Sequence, residues 1–312
     1  MRIFENTNID FLGKRKLFYG FSTVLIVLGL LSILVRGLEL GIDFKGGTEI
    51  ALQFEKPIEI SEVRDVLSKI ELGGVEVKTF GENNGVLIRT ELQKVPESAE
   101  FEGSVAGWIE NYLVKSFSDN SFKILKEDIV GPKVGNELKR DAVLAILFSL
   151  VVILLYLGFR FKFVFAIGAV ITLFHDVLIT LGMFSLLYGV IPGLNTELSI
   201  SVVAAFLSLV GYSVNDTVVV FDRIRENVKI HKTAPLEENI NSAINKTISR
   251  TVITSVTTLF TLLVLVIFGG EVLRGFAFAL SFGIIIGTYS SIFVSSTFVL
   301  EYAKKKGMKI QF

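Results

Sequence analysis

The chain has 312 residues, of which 51% are hydrophobic and 20% charged, and its mean hydropathy is +0.61. Its 31 basic and 31 acidic residues cancel, so net charge indicates neither a nucleic-acid partner nor an acidic one. Absence of Cys excludes disulfides and thiolate metal sites, and the sequence has no GxxxxGK(S/T) loop. We therefore predict no metal centre, no cofactor and no enzymatic activity.

Long uncharged runs recur along the chain, each close to the roughly 20 residues that a helix needs to cross a hydrocarbon core of about 30 Å. The first, LFYGFSTVLIVLGLLSILV, follows a basic segment, but its length and the lack of a small-residue cleavage site favour an uncleaved span over a signal peptide. We predict an α-helical integral membrane protein with six transmembrane helices, at about residues 17–36, 138–158, 163–188, 198–221, 250–268 and 273–302.

Residues 37–137 have the composition of a soluble domain. Alternating and helical hydrophobic patterns predict a strand at 47–54, a helix at 60–70, strands at 75–81 and 85–91, a helix at 101–117 and a strand at 122–130. This β-α-β-β-α-β order predicts one α+β ferredoxin-like domain between spans 1 and 2. Because that fold serves many functions, it identifies a folding module and no activity.

Lys and Arg are concentrated on one side of the predicted membrane. The N-terminus at 1–16 carries four, the 159–163 turn two, the 222–250 loop six and the tail after Tyr302 four, whereas the loops 189–197 and 269–274 carry only Arg274. The positive-inside rule then predicts cytoplasmic termini and an extracytoplasmic ferredoxin-like domain. The basic tail at 303–312 is also suited to anchoring on anionic membrane lipids.

The stretch GYSVNDTVVVFDRIREN, residues 211–227, places Ser213, Asn215 and Asp216 inside the fourth span. Asp216 lies seven residues before Arg223 in the charged exit DRIRE, which corresponds to about 10 Å along a helix. An ionised Asp at the centre of a span costs about 2.5–3.5 kcal/mol on insertion scales, so it normally faces a partner or water. We interpret Asp216 as part of a proton or ion relay; the alternative is a structural hydrogen bond to a neighbouring helix.

Arg250 begins the fifth span and enters from the same predicted side as Asp216, so we expect the two at similar depth. One interpretation is an Asp216–Arg250 couple whose attraction depends on the protonation of Asp216. The other is an interfacial Arg that snorkels to the membrane surface. In that case the hydroxyls that follow bond back to their own helix, namely those of Thr251, Thr254, Ser255, Thr258 and Thr261.

His175 and Asp176 lie midway along the third span, in ITLFHDVLIT. Adjacent helical residues point about 100° apart, so the two need not share a partner. A histidine titrates near neutrality and suits a proton relay, while an interhelical hydrogen bond fits the position equally well. We rank this pair second to Asp216.

Small residues recur every four positions on the last span, at Ala279, Gly283, Gly287, Ser291 and Ser295. This spacing lets another helix approach closely. Together with the unpaired polar groups, the run predicts a bundle of more than six helices.

Four segments resemble the SecF branch of the bacterial SecD/SecF family of protein-translocase subunits. They are GYSVNDTVVVFDRIREN, GIDFKGGTE at 41–49, VGPKVGNEL at 130–138 and the HDV of the third span. The resemblance covers the whole chain, and the order and spacing of the motifs agree with the family.

The resemblance implies an accessory subunit of the Sec translocase in the bacterial cytoplasmic (inner) membrane, similar to half of a resistance-nodulation-division transporter. It implies a 1:1 pairing with SecD, association with the SecYEG translocon and YajC, and an exported polypeptide as cargo. Proton flow is then expected to drive export. Asp216 and Arg250 match the family's proton-pathway positions, and the partner is expected to supply a further Asp.

Two other functions stay open at this point. The chain could be half of a proton-driven small-molecule antiporter of the same superfamily, or a scaffold that only stabilises a channel complex. An antiporter should show a large ligand-holding cleft in its external module, for which about 100 residues with two short helices are few. A scaffold would tolerate the loss of Asp216.

Overall fold

The computed structural model describes residues 7–81, 83–96, 101–191 and 194–307, without the side chains of Pro132, Glu271 and Val272. Part of the predicted N-terminus and half of the basic tail therefore lie outside the described residues. The chain divides into two compact units. The helical unit comprises Met1–Leu38, Leu144–Val190 and Ser201–Phe312, and the sheet unit comprises Glu39–Val143 and Ile191–Ile200.

A segment of strands and short helices lies between the first two long helices. In chain order they are α1 (Arg15–Arg36), α2 (Ile42–Lys45), β1 (Gly47–Phe54), α3 (Ile60–Leu67), β2 (Val75–Thr79), β3 (Gly85–Thr90), α4 (Val105–Ser116), β4 (Phe122–Val130), α5 (Pro132–Arg160), α6 (Phe163–Leu187), α7 (Ile200–Ile230), α8 (Leu236–Phe268), α9 (Gly270–Ser290), a π-helical turn (Ser291–Ser295) and α10 (Ser296–Lys306). A 3₁₀ turn, Leu12–Lys14, precedes α1.

The sheet unit contains one four-stranded sheet with the order β2-β3-β1-β4, in which every neighbouring pair is antiparallel. Two β-α-β units interleaved in this way give the ferredoxin-like arrangement that the sequence predicts. Ile50 of β1 lies opposite Ile88 of β3, and the apolar face of the sheet packs with α3 and α4 around a buried core that includes Val63 and Ile109. Helix α4 begins at Val105 instead of the predicted residue 101, because the Ser104 hydroxyl caps it by accepting from the Gly107 N–H at 3.0 Å.

Six helices, within the part of the chain that the structure describes, are long and apolar enough to span a membrane, which confirms the predicted number. They differ in burial: 56% of the most apolar stretch of α6 and 44% of that of α7 are buried, as are 61% of that of the last helix. The corresponding values for α1, α5 and α8 are 17%, 11% and 17%. Helices α6 and α7 and the last helix therefore form the interior of the helical unit, whereas most residues in the apolar stretches of α1, α5 and α8 are not buried.

The cytoplasmic loop predicted between spans four and five is largely helical. Helix α7 continues to Ile230 and α8 already begins at Leu236, so only residues 231–235 separate them. The two extensions pack on each other, since Ile240 and Ile244 are buried and the Asn227 side chain donates to the backbone oxygen of Asn239 at 3.1 Å. A buried apolar stripe under a polar surface explains why charge alone suggested a loop.

Helices α1 and α6 cross with their backbones almost in contact. A Cβ atom added to Gly29 would lie 2.8 Å from the Cα of Gly182, and one added to Gly182 would lie 2.6 Å from the Cα of Gly29. Near the same crossing the Ser32 and Ser185 hydroxyls hydrogen-bond at 2.8 Å. Close approach at small residues is how helices associate in membranes, where no hydrophobic force drives them together.

We expect Gly29→Ala to destabilise the helical unit, because the new methyl group can be accommodated only if α1 and α6 move apart. Overpacking of this kind costs about 1–3 kcal/mol. Gly20→Ala is the matched control, since it lies on the same helix and a Cβ there meets nothing within 4 Å. Thermal unfolding of both variants in detergent measures the difference. Equal midpoints for the two would show that the crossing is loose.

Candidate functional site

Asp216 lies on the buried face of α7. Its side chain is 4% exposed, and its Oδ2 atom is buried without a hydrogen-bond partner among the described residues. Its neighbour Asn215 points the other way and is exposed. A buried carboxylate oxygen without a donor is costly if the group is ionised.

Arg250 is the charged residue whose electrostatic influence reaches Asp216. The two side chains nevertheless form no ion pair within 4.0 Å, and Arg250 is exposed on the surface of α8. Thr258 donates back to the Thr254 backbone oxygen at 2.9 Å, and Thr254 likewise bonds back to Arg250. These bonds fit the alternative interpretation, in which the hydroxyls after Arg250 bond back to their own helix. Ser255 differs, because it reaches Thr288 of α9 at 2.7 Å.

His175 and Asp176 share a hydrogen bond, which the 100° separation of adjacent helical residues did not suggest. His175 Nδ1 lies 2.9 Å from Asp176 Oδ1. Asp176 Oδ2 accepts from Ser213 of α7 at 2.7 Å and from Ser290 of α9 at 2.9 Å. His175 Nε2 contacts the hydroxyls of Ser22 on α1 and Tyr289 on α9. Residues of four helices therefore form what we call the Asp176 cluster: Ser22, His175, Asp176, Ser213, Tyr289 and Ser290.

Ser213 thus has a different role from the one its proximity to Asp216 suggested. It binds Asp176 and lies one helical turn before Asp216 on the same buried face of α7. The structure therefore brings Ser213, His175 and Asp176 together, and places Asp216 nearby along α7 without a direct hydrogen bond to them.

The run of small residues on the last span packs inside this chain. All five members are buried, and a Cβ added to Gly283 would lie 2.5 Å from Leu209 Cδ2. A Cβ added to Gly287 would lie 3.1 Å from the Ser213 hydroxyl oxygen. Because α7 fills the space beside these residues, the run does not argue for helices beyond six. The members are Ala279, Gly283, Gly287, Ser291 and Ser295.

A charged cluster on the face of the sheet opposite α3 and α4 was not predicted. Arg89 Nη2 lies 2.5 Å from Glu49 Oε2 and 2.7 Å from Glu197 Oε2, and Lys78 and Lys126 bind the remaining oxygens of these two acids. We call these five residues the Arg89 cluster. Burial would raise the pKa of Glu197, but hydrogen bonds and charge from Arg89 and Lys78 outweigh it and lower the pKa. Charges facing each other on β1 and β3 were the available signal.

Residues 194–200 are held to the sheet unit by more than this cluster. Leu198 accepts from the Gly41 N–H at 2.7 Å and donates to the Glu39 carbonyl oxygen at 2.8 Å. The Asp43 carboxylate accepts from the N–H of Ile200, the first residue of α7, at 2.8 Å. A carboxylate at a helix N-terminus is favourable, so the beginning of α7 is fixed within the sheet unit.

The sheet unit also contains a cleft of about 1010 Å³. Its lining includes seven charged side chains: Lys45, Arg64, Glu76, Lys78, Arg89, Glu91 and Lys139. The small size of this unit therefore does not exclude a cleft, contrary to our expectation for the antiporter alternative. Pockets that hold small molecules have few charged groups in their lining, whereas seven of the fifteen residues that line this cleft are charged.

Two family models match the chain. One, described as protein export membrane protein SecD/SecF, C-terminal, covers residues 110–305, and the other, the SecD/SecF GG motif, covers residues 31–58. The chain is also 50% identical over 302 residues to the protein translocase subunit SecF of Rhodothermus marinus, with 96% of this chain and 95% of that protein covered. The chain belongs to the SecD/SecF family. It is 45% identical to SecF of Calditerrivibrio nitroreducens over 297 residues, 95% of this chain and 94% of the relative, and we assign it as a SecF-type translocase subunit.

Solved SecDF structures share the fold. SecDF of Thermus thermophilus, described as a translocon-associated membrane protein, superposes with a TM-score of 0.82 at 35% identity over 96% of this chain. SecDF in a super-membrane-facing form gives a TM-score of 0.69, also at 35% identity, over 98% of this chain. The chain spans 39% and 40%, respectively, of those SecDF chains.

The SecD/SecF GG motif has a clear structural reason here. Gly46 ends α2 with a φ of 79°, and Gly47 starts β1 with a φ of 117°. A Cβ at Gly47 would lie 2.2 Å from the Thr90 carbonyl oxygen of β3. Both conformations favour glycine, so the pair allows the chain to turn from α2 directly into the sheet.

Proposed function

We propose that this SecF-type subunit couples proton movement across the bacterial inner membrane to polypeptide export, with Asp216 as the proton acceptor and Arg250 as its counter-charge. The observation that carries the proposal is the unpartnered, buried Oδ2 of Asp216 inside an apolar helix. A proton moving across 100 mV releases about 2.3 kcal/mol, which a protein captures only if protonation changes a contact.

The separation of Asp216 and Arg250 supports a contact that forms and breaks. Ionised Asp216 attracts Arg250, and the pair compensates two charges that are each costly in the membrane. Protonated Asp216 loses that attraction, and Arg250 returns to the exposed surface of α8. The arrangement described above, without an ion pair, corresponds to the neutral state in this scheme.

A partner with its own membrane-embedded acid completes the scheme. Arg250 is exposed on α8, and most residues in the apolar stretches of α1, α5 and α8 are not buried within this chain. The chain also spans less than half of SecDF. We propose a 1:1 complex with SecD, acting at SecYEG and YajC on an exported polypeptide, with membrane lipid around the remaining helices.

The beginning of α7 offers a route from Asp216 to the sheet unit. Ile200 belongs to both α7 and the sheet unit, where the Asp43 carboxylate and the Arg89 cluster hold its segment. A shift of α7 on protonation of Asp216 would therefore act on the segment that the Asp43 carboxylate and the Arg89 cluster hold.

We propose that both termini are cytoplasmic and that the sheet unit is extracytoplasmic. In sealed right-side-out membranes, added protease should cut within residues 37–135 and leave residues 222–250 intact. Inverted vesicles serve as the control and should give the opposite pattern, except where the helical packing of α7 and α8 resists cleavage. Cutting confined to residues 222–250 in right-side-out membranes would invert the topology.

The function is tested by the release of a secretory protein from vesicles that contain this chain with its copurifying membrane partner. Release should be faster with a proton gradient than after an ionophore collapses it. A scaffold would give the same rate in both conditions. An antiporter would show gradient-driven exchange of a small molecule by this chain alone, without a translocating polypeptide.

A further inference from the structure

Ser213, the member of the Asp176 cluster on α7, lies one turn before Asp216. The cluster nevertheless has no role in the Asp216–Arg250 couple. Its side chains are nearly all buried: Asp176 and Ser290 are 0% exposed, Ser213 1% and His175 7%. A polar cluster at this depth is expensive unless each member is satisfied. The way its members are satisfied indicates what the cluster can do.

The hydrogen bonds of His175 suit two protonation states with the same heavy-atom positions. Its Nδ1 faces Asp176 Oδ1 at 2.9 Å, and its Nε2 lies 2.9 Å from the Ser22 hydroxyl and 3.4 Å from the Tyr289 hydroxyl. The Ser22 and Tyr289 hydroxyls also bond to each other. A hydroxyl can donate or accept, and an imidazole nitrogen does either according to its protonation.

Counting protons separates these states. When both nitrogens of His175 carry hydrogen, Nδ1–H donates to ionised Asp176, Nε2–H donates to Ser22, and the pair is neutral. When Nε2 loses its proton, it accepts from the nearer hydroxyl of Ser22, Ser22 accepts from Tyr289, and the pair carries one negative charge. The proton count of the pair therefore sets the direction of the hydrogen bonds between Ser22 and Tyr289.

The proton can also reside on Asp176 without loss of a hydrogen bond. Ser290 donates to Asp176 Oδ2 at 2.9 Å but also lies 3.1 Å from the Gly287 carbonyl oxygen. If Oδ2 is protonated, it donates to Ser290, and the Ser290 hydrogen turns to Gly287. The Gly287 carbonyl oxygen thus gives the Ser290 hydroxyl another acceptor when Asp176 Oδ2 is protonated.

The groups that face His175 and Asp176 do not hold the pair in one charge state. Helix α1 brings Ser22, α9 brings Tyr289 and Ser290, and α7 brings Ser213 followed one turn later by Asp216. Arg250 of α8 acts on Asp216. Among the described residues, neither His175 nor Asp176 forms an ion pair with a Lys or Arg.

We propose that His175 and Asp176 form a second proton-holding site, whose change of protonation reverses the Ser22–Tyr289 hydrogen bonds and which is joined to α7 by the hydrogen bond from Ser213 to Asp176. The proposal rests on the proton-coupled function above and adds a second station to it. Asp176 holds Ser213 of α7 by a hydrogen bond, while His175 carries the exchangeable proton.

Nitrogen-15 NMR of histidine-labelled full-length protein in lipid, with its partner, tests the site directly. The chain has only two histidines, so His231→Gln leaves His175 as the single signal. His231 lies just after the end of α7, is exposed and is outside the cluster. We expect the signal to change between the imidazolium and neutral forms between pH 5 and 9. One unchanged form across this range would overturn the proposal.

Two variants separate a proton site from structural packing. Removing the partners of Nε2 with Ser22→Ala and Tyr289→Phe should move the titration midpoint by about one pH unit, a tenfold change in proton affinity. Ser32→Ala is the matched control on α1, because it removes a buried hydrogen bond to Ser185 that involves no titratable group. Equal midpoints in all three proteins would contradict the proposal.

The NMR result is independent of export. If His175 titrates but release ignores the proton gradient, the site stands and the proposed function fails. If release depends on the gradient while His175 never changes form, the function stands and the second site is wrong.

Discussion

Asp216→Asn protein should insert, bind its partner and retain gradient-independent release, yet lose the acceleration that a proton gradient provides. Asparagine imitates the neutral carboxylic acid in shape but cannot ionise, so the attraction of Arg250 never forms. We expect the rate with a gradient to fall to the rate measured with ionophore. Vesicle release of a secretory protein, with and without the gradient, measures both rates.

Asp222→Asn provides the matched control for this variant. It changes the next acid along α7, which is 44% exposed and paired with Arg160 at 3.3 Å, so little stability depends on it. Arg250→Lys keeps the charge but loses the planar guanidinium, and we expect a partial defect. Gradient-dependent release by Asp216→Asn equal to that of the wild type would leave Asp216 with a structural role only.

Arg89→Met should destabilise the sheet unit by about 3 kcal/mol. Arg89 is 11% exposed, and its removal leaves Glu49 and Glu197, 8% and 4% exposed, without their shared counter-charge. Breaking a buried ion pair from one side costs about 3–5 kcal/mol, and the lower value applies because Lys78 and Lys126 remain. Trp108, the only tryptophan of the chain, lies in α4 and reports unfolding of this unit by fluorescence.

With a denaturant slope of about 2 kcal/mol per molar urea, the expected loss lowers the Trp108 midpoint by about 1.5 M. Arg140→Met is the control in the same unit, because Arg140 is 71% exposed and its contact with Asp141 is solvated. A shift below about 0.5 M for Arg89→Met would indicate that water screens the cluster.

The same cluster makes the sheet unit sensitive to acid. Because the pKa of Glu197 is lowered in the folded protein, its ionisation stabilises the fold above the ordinary value of 4.5, and this contribution disappears as the pH falls through the folded pKa. Glu197→Gln should therefore flatten the loss of stability on acidification. It should also lower stability at neutral pH, where Gln cannot replace the ionic contacts.

The sequence predicted the features that depend on a local pattern. The six spans follow from the length of apolar runs, and the strand and helix order follows from alternation between residues 47 and 130. Asp216 was found because a carboxylate within a long apolar run can be recognised without knowing which way the helix faces. None of these inferences requires knowledge of which residues meet in space.

Features that depend on distant residues were missed. The Arg89 cluster unites residues 49, 89 and 197, and no spacing along the chain relates Glu197 to the sheet. The His175–Asp176 contact was missed for a different reason. The angle between adjacent helical positions describes where side chains start, whereas the imidazole ring reaches back to its neighbour's carboxylate.

The π-helical turn in the last span has a geometric consequence. A π turn holds one residue more than an α turn, so everything beyond it is rotated by about 100° relative to a straight α-helix. Before the turn, Gly283 and Gly287 face α7; after it, Phe298 and Val299 face Gly168 of α6. The last span therefore consists of two α-helical segments, α9 and α10, whose contact faces are rotated by a fixed angle relative to each other. Deleting one residue between Ser291 and Ser295 would cancel the offset and turn α10 away from α6, while α9 and the Asp176 cluster keep their places.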